Sequence, residues 1–223
     1  MVFYPAASLP NLESSINVDF MSETAVRKGV KTRQIFMDAG RRVFARDGYL
    51  NAEISEIARE AGKSNGTFYI YFENKSALLD AMIEEFEEYI LARFREHDDQ
   101  WYAASQAGDW EMIVSNMWKS FTLHAPTFHA LSQACLVDEH FAQAYATIRE
   151  RTRRDFTNFL KARQKLGFCK GINIQYAAMA LETMILYSLT EWLADGGKCH
   201  DRREEKKALA ALSGIFNAVM SMA

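Results

Sequence analysis

The residues best suited to chemistry lie between Lys63 and Lys75, in the run Lys-Ser-Asn-Gly-Thr-Phe-Tyr-Ile-Tyr-Phe-Glu-Asn-Lys. Their types favour hydrogen bonding and close approach rather than bond making. On a helical wheel centred on Phe68, Phe72 shares the inner face, Thr67 and Tyr69 flank it, and Gly66 and Ile70 point away. A glycine inside a helix costs about 1 kcal/mol relative to alanine, and an exposed isoleucine gains nothing from water. Both make sense against a DNA groove: Gly66 lets the backbone come close, and Ile70 can touch a thymine methyl. Asn65, near the helix start, can read a base edge. Thr67 and Tyr69 can donate to phosphates or bases, and Lys63 and Lys75 add charge on either side. The competing reading, an aromatic core patch, is accepted for Phe68 and Phe72.

Other constellations carry less. His124 and His129 are five residues apart with Pro126 between them, so they do not share a helix face, and adding Asp138, Glu139 and His140 does not make a metal site. Cys135, Cys169 and Cys199 are too widely spaced for a thiolate zinc site or a disulfide framework. Arg149, Arg151, Arg153 and Arg154 read first as a solvated or ion-paired helix face and second as a site for an acidic ligand such as an acyl-CoA phosphate. Neither a phosphate-cradling glycine loop nor a Ser-His-Asp motif is present. No enzyme activity, metal or cofactor is expected.

The elements that must position the 63–75 run can be read from apolar spacing and stops. Ile35, Phe36, Ala39, Val43 and Phe44 form one helical face, and Gly48 ends it. Ile54, Ile57, Ala58 and Ala61 form a short second helix broken by Gly62. Ser64 caps a third helix and Asn74 a fourth, running from Lys75 to about His97. Asp98 to Asp109 reads as a break. Helices follow at about 110–124, 126–136, 138–166, 173–194 and 201–222. Period-2 alternation is absent, so the class is all-α with about nine helices. Residues 1–23, with Pro5 and Pro10, are expected to be a flexible tail, 24–74 a helix-turn-helix DNA-binding domain, and 75–223 a second helical domain.

The net charge of −3 hides an asymmetry: residues 24–75 hold ten Lys+Arg against six Asp+Glu, whereas the rest of the chain is acidic. A basic module on an acidic body suits a nucleic-acid reader. No apolar run approaches the ~18 to 20 residues of a membrane span, and a secretory signal pattern is missing, so a soluble, cytoplasmic protein is expected.

The segment from Ile57-Ala58 through Ala61-Gly62-Lys63-Ser64-Asn65-Gly66-Thr67-Phe68-Tyr69-Ile70-Tyr71-Phe72 to Lys75 resembles the DNA-binding segment of the TetR family of transcriptional regulators. The resemblance covers about residues 32–80. It implies that Ser64, Asn65, Gly66, Thr67, Tyr69, Tyr71 and Lys75 occupy positions used for DNA contact. Two residues depart from the family pattern. Lys63 replaces an apolar residue, and Ala52-Glu53 replaces the hydroxyl-bearing pair that opens the second helix. Glu53 repels phosphate, which shifts the expected burden to Lys63 and the basic residues Arg27, Lys28, Lys31 and Arg33.

The resemblance further implies a homodimer on double-stranded, palindromic operator DNA, an effector cavity among the central helices, and a dimer interface from the last two. Trp118, Phe121, Phe128, Leu131, Tyr145, Phe156, Met184 and Tyr187 are the expected lining of a site for a small hydrophobic or aromatic effector. Apolar stripes Ala177, Ala178, Leu181, Ile185 and Leu209, Leu212, Ile215, Phe216, Val219 are the expected interface. Repression is the expected mode. Activation, or control by a protein partner in place of a small molecule, remains open.

Overall fold

The computed structural model describes residues 16–194 and 202–222, and among them the chain forms nine α-helices and no strand. They are α1 (Ile16–Asn51), α2 (Ile54–Glu60), α3 (Asn65–Tyr71), α4 (Lys75–Ala107), α5 (Trp110–Leu123), α6 (Ala125–Ala134), α7 (Glu139–Lys165), α8 (Ile174–Ala194) and α9 (Arg202–Met220).

Two boundaries differ from the sequence reading. The first helix begins at Ile16, inside the stretch read as a tail, because nothing between Pro10 and Gly29 stops it; residues 1–15 of that stretch lie outside the described residues. Arg27, Lys28, Lys31 and Arg33 therefore ride on a helix. Similarly, α4 runs on through the polar segment His97-Asp98-Asp99-Gln100, which contains neither glycine nor proline, and ends only before Gly108.

One core runs through both halves. Phe36, Val43 and Phe44 of α1 and Leu78, Leu79 and Met82 of α4 are buried together with Ile57 and Phe68. Gly40 permits the close approach of α4, since a Cβ there would stand 2.8 Å from Leu78 Cδ2. The helix α6 packs along α1, α7 against α8, and α5 against α9. Particular polar contacts tie these layers: Trp118 Nε1 donates to Glu205 at 3.0 Å, and Arg163 Nε donates to the Met220 carbonyl at 3.0 Å. The fully buried Glu182 of α8 accepts from Arg149 at 2.6 Å and Arg153 at 3.0 Å of α7. Two of the four arginines are thus ion-paired to one buried carboxylate, and Arg151 stands 4.0 Å from Glu87.

The carboxy-terminal residues singled out in the sequence take several different environments. Trp118, Phe128, Leu131 and Phe156 are buried, the Phe128 ring tilted against Tyr145 at 5.6 Å and the Phe156 ring against Phe216 at 5.3 Å. Met184 is half-buried, the Phe121 side chain lies outside the described residues, and Tyr187 is 63% exposed. Tyr187 cannot face inward because Ala178, Leu181, Glu182 and Ile185 occupy the inner side of α8. The expected interface stripes are also largely consumed within the chain: Ala178, Leu181, Ile185, Leu212 and Phe216 are buried, and only Ile215 of the two stripes is exposed. The exposed apolar residues of α8 are instead Tyr176, Met179 and Tyr187, at i, i+3 and i+11.

Candidate nucleic-acid interface

The turn between α2 and α3 is set by local hydrogen bonding. Gly62 adopts φ 63°, a left-handed conformation that glycine enters without steric cost. Its N–H donates to the Arg59 carbonyl at 3.0 Å, and the Lys63 N–H donates to the Ala58 carbonyl at 2.9 Å, which closes α2 with a Schellman pair. Ser64 then caps α3: its Oγ accepts from the Thr67 N–H at 3.1 Å and lies 2.9 Å from Thr67 Oγ1. At the next corner Asn74 Oδ1 accepts from the Ala77 N–H at 2.8 Å to open α4. At the start of α2, Glu53 holds the N-cap position without a side-chain hydrogen bond and is exposed.

An aromatic cluster fastens α3 to α1. Phe36 meets Phe68 edge-on at 5.4 Å, Phe72 at 6.5 Å and Tyr71 at 6.0 Å, and Phe68 lies 5.6 Å from Phe72. Burial of these rings contributes about 1.5–3 kcal/mol each, enough to hold a seven-residue helix that would not form alone. The Arg33 guanidinium, half-buried, lies 5.3 Å over the Phe72 ring and braces the cluster from α1.

With Phe68 and Phe72 facing inward, Lys63, Ser64, Asn65, Gly66, Tyr69 and Ile70 are all exposed, while Thr67 and Tyr71 are half-buried at the edges. Ile70 is 76% exposed and Tyr69 56%. A Cβ at Gly66 would meet nothing closer than Ser64 Oγ at 3.8 Å, so the fold itself makes no demand for glycine there.

Lys75 is placed differently from expectation. Its ammonium turns back to the corner between α1 and α2, donating to the carbonyls of Tyr49 at 2.7 Å, Ala52 at 2.9 Å and Leu50 at 3.3 Å, and sits 4.7 Å over the Tyr49 ring. Its donors are committed to backbone oxygens, and burial lowers its pKa from the ordinary lysine value. The residue ties the start of α4 to the corner between α1 and α2. Tyr49, which this ammonium covers, also bonds Ser76 through its hydroxyl at 3.1 Å.

Several arginines of this half are likewise occupied. Arg42 pairs with Glu60 at 2.6 Å, Arg46 with Asp47 at 2.6 Å, and Arg59 with Glu56. These exposed pairs add little stability; Arg42–Glu60 ties α1 to α2, the other two each lie within a single helix, and all three cancel charge. Lys28, Lys31 and Lys63 are exposed and form no ion pair among the described residues. Sequence reasoning missed Gln133 of α6, whose Oε1 accepts from the Tyr49 N–H at 2.6 Å and so reaches the base of this domain from the other half.

Comparison with known proteins agrees with this geometry. Residues 36–82 match the family described as bacterial regulatory proteins, tetR family. The fatty acid metabolism regulator protein of Bacillus subtilis is 37% identical over 70 residues, covering 31% of this chain and 36% of that protein. The HTH-type transcriptional regulator UidR of Escherichia coli K12 is 38% identical over 65 residues, covering 29% of this chain and 33% of that one. The match thus spans about a third of the length of these relatives. Across most of the chain the likeness is one of fold: the transcriptional regulator FadR from Bacillus subtilis, solved with stearoyl-CoA, superposes with a TM-score of 0.53 over 84% of this chain and 96% of that one, at 22% identity.

Proposed function

We propose that this chain, a member of the TetR family of bacterial regulatory proteins, is a one-component transcriptional regulator that reads operator DNA through the outer face of α3. The observation that carries the reading is the pairing of Gly66, for which the fold has no steric need, with the 76% exposed Ile70 on a short, capped helix. Each is a local cost in water. Each becomes favourable when a groove floor replaces the water, with the backbone approaching at Gly66 and a thymine methyl packing on Ile70. Asn65, Thr67 and Tyr69 supply hydrogen-bonding groups on the same side. Ser64 positions the helix, and Tyr71 borders it. Lys63, Lys28 and Lys31 supply unpaired charge for phosphate.

In this reading the protein acts as a homodimer whose two α3 helices enter successive major grooves about 34 Å apart on a palindromic site. The exposed Tyr176, Met179 and Tyr187 on α8 and Ile215 on α9 support a second copy as the partner of that face. A hydrophobic effector then releases the DNA, and repression is the mode. Long-chain acyl-CoA is the first class to test, because stearoyl-CoA occupies a neighbour of the same fold and a relative is named for fatty acid metabolism.

The test is a footprint on DNA upstream of the protein's own gene, repeated with Tyr69→Ala and Ile70→Ala and then with stearoyl-CoA. A protected palindrome that weakens in both variants and is released by stearoyl-CoA is the expected result. Equal footprints from wild type and both variants would remove α3 from the interface.

A further inference from the structure

A cleft of about 580 Å³ opens where the two halves meet, lined by Arg41 of α1, Glu85, Glu88, Tyr89 and Ala92 of α4, and Leu123 and His124 at the joint between α5 and α6. Its size falls within the range of small-molecule sites, roughly 300–1,000 Å³. None of the eight apolar and aromatic residues expected to line an effector cavity borders it, whereas His124, read from the sequence as a polar group of such a pocket, does.

His124 makes this cleft more than a surface furrow. The residue is only 6% exposed, yet neither ring nitrogen has a hydrogen-bond partner. Its ring is fixed between Tyr89, at 4.8 Å, and Phe86, at 5.3 Å. Leaving a buried donor or acceptor unsatisfied costs about 1–3 kcal/mol. A leucine or phenylalanine would pack there without that cost. Burial and the nearby Arg41 charge hold the imidazole neutral, so one of its nitrogens is an acceptor.

The charge of the lining selects the ligand. Arg41 is already answered twice, by Asp38 at 2.6 Å and by Glu85 Oε2. What remains is the second oxygen of Glu85, the exposed carboxylate of Glu88 and the acceptor nitrogen of His124, beside the apolar surfaces of Tyr89, Ala92 and Leu123. Glu85, Glu88, Tyr89 and Ala92 follow at i, i+3, i+4 and i+7 and so share one helix face. An anion would meet two carboxylates with the guanidinium taken. A neutral apolar molecule would leave His124 unsatisfied.

We propose that this cleft is a binding site for a small organic amine, whose ammonium lies between Glu85 and Glu88, donates to His124, and rests its apolar body on Tyr89 and Leu123. The proposal stands apart from the regulator reading, because binding to the cleft requires no DNA.

Isothermal titration of the full chain at pH 8 with benzylamine, and with benzyl alcohol and benzoate as its neutral and anionic counterparts, tests the proposal. Benzylamine is expected to bind, and at least tenfold more tightly than either counterpart. Glu88→Gln and His124→Phe should each weaken it fivefold or more while circular dichroism stays that of the wild type. Glu88 is exposed, so its variant keeps the test valid if His124→Phe unfolds. Benzylamine binding no tighter than benzoate, unchanged by Glu88→Gln, or absent at millimolar concentration would overturn the proposal. Failure of the chain to footprint DNA would count against the regulator reading alone.

Discussion

Replacing Lys75 by methionine keeps the aliphatic stem and removes the ammonium that binds the Tyr49, Leu50 and Ala52 carbonyls. Hydrogen bonds to a charged donor contribute about 1.5–3 kcal/mol each in favourable settings. This ammonium is half-buried and its third contact is long, so about 1 kcal/mol for each of the two shorter bonds is a fair discount. The contact over the Tyr49 ring adds roughly 0.5 kcal/mol. Lys75→Met should therefore destabilise by about 2–3 kcal/mol, a fall in melting temperature of roughly 4–12 °C for a chain of this size. Its effect on operator binding separates two roles. A lysine that neutralises a phosphate steepens the dependence of log K on log salt by about 0.9 per contact, or nearly 2 for a dimer. Lys75→Met is expected to lower affinity about equally at 50 and 200 mM salt, with the slope unchanged, whereas Lys63→Gln should flatten it. A Lys75→Met protein of wild-type stability whose slope falls by one or more would refute the scaffold role and restore the phosphate contact.

Gly48→Ala should cost about 2–4 kcal/mol in a denaturant titration, because φ 76°, ψ 159° is closed to residues with a Cβ and the new atom would lie 2.9 Å from Gln133 Oε1; adding Gln133→Ala should recover part of the loss. His124 and His129 are both held neutral by burial, with folded pKa values below the ordinary 6.5. The unfolded chain therefore takes up protons first, and stability that is complete above pH ~6.5 should fall as pH drops below it. Differential scanning fluorimetry should show that decline, shallower in His124→Phe. Asp155 acts with the opposite sign: burial raises its carboxyl to about 6, so ionising it at neutral pH opposes folding. Asp155→Asn should melt higher than wild type at pH 7.5 and no higher at pH 4, and a variant without that gain would show the carboxylate to be better solvated than its surroundings imply.

How much of this was legible in the sequence depends on the range of the forces involved. The α2–α3 unit was readable because its determinants are local: Gly62 for the turn, Ser64 and Asn74 for the caps, Phe68 and Phe72 four residues apart. Residues 16–23 lack an apolar period and residues 98–107 open on a polar run, and both were read as non-helical, yet neither stretch contains a glycine or proline and a helix runs through each. Lys75 could not be placed from sequence, since its partners are carbonyls of residues 23 to 26 positions earlier, and carbonyls have no side-chain signature. Periodicity on α8 and α9 showed that a face is buried without showing what buries it. Leu181, Ile185 and Phe216 turned out to be covered by their own chain, which left Tyr176 and Tyr187 outside.

The corner Tyr49–Ala52 connects these misreadings to the proposed mechanism. The Tyr49 N–H can only donate, so Gln133 must turn its amide oxygen toward it and its NH₂ toward His129 Nε2, 3.0 Å away. An NH₂ cannot accept, which requires His129 Nε2 to be unprotonated, in keeping with the neutrality that burial imposes. On the other side of the same residue, the Tyr49 carbonyl is held by Lys75, the first residue of α4. One peptide corner is thus gripped by α6 through its N–H and by α4 through its C=O, and α2 begins two residues beyond it at Ile54. A shift of α6 relative to α4 strains the two grips against each other. That strain can be relieved by breaking one of them or by carrying the corner, and with it α2 and α3, to a new place. In the proposed regulator this corner is therefore one link between the α2–α3 unit and the relative position of α4 and α6, and a ligand that moved the two together would leave that link undisturbed.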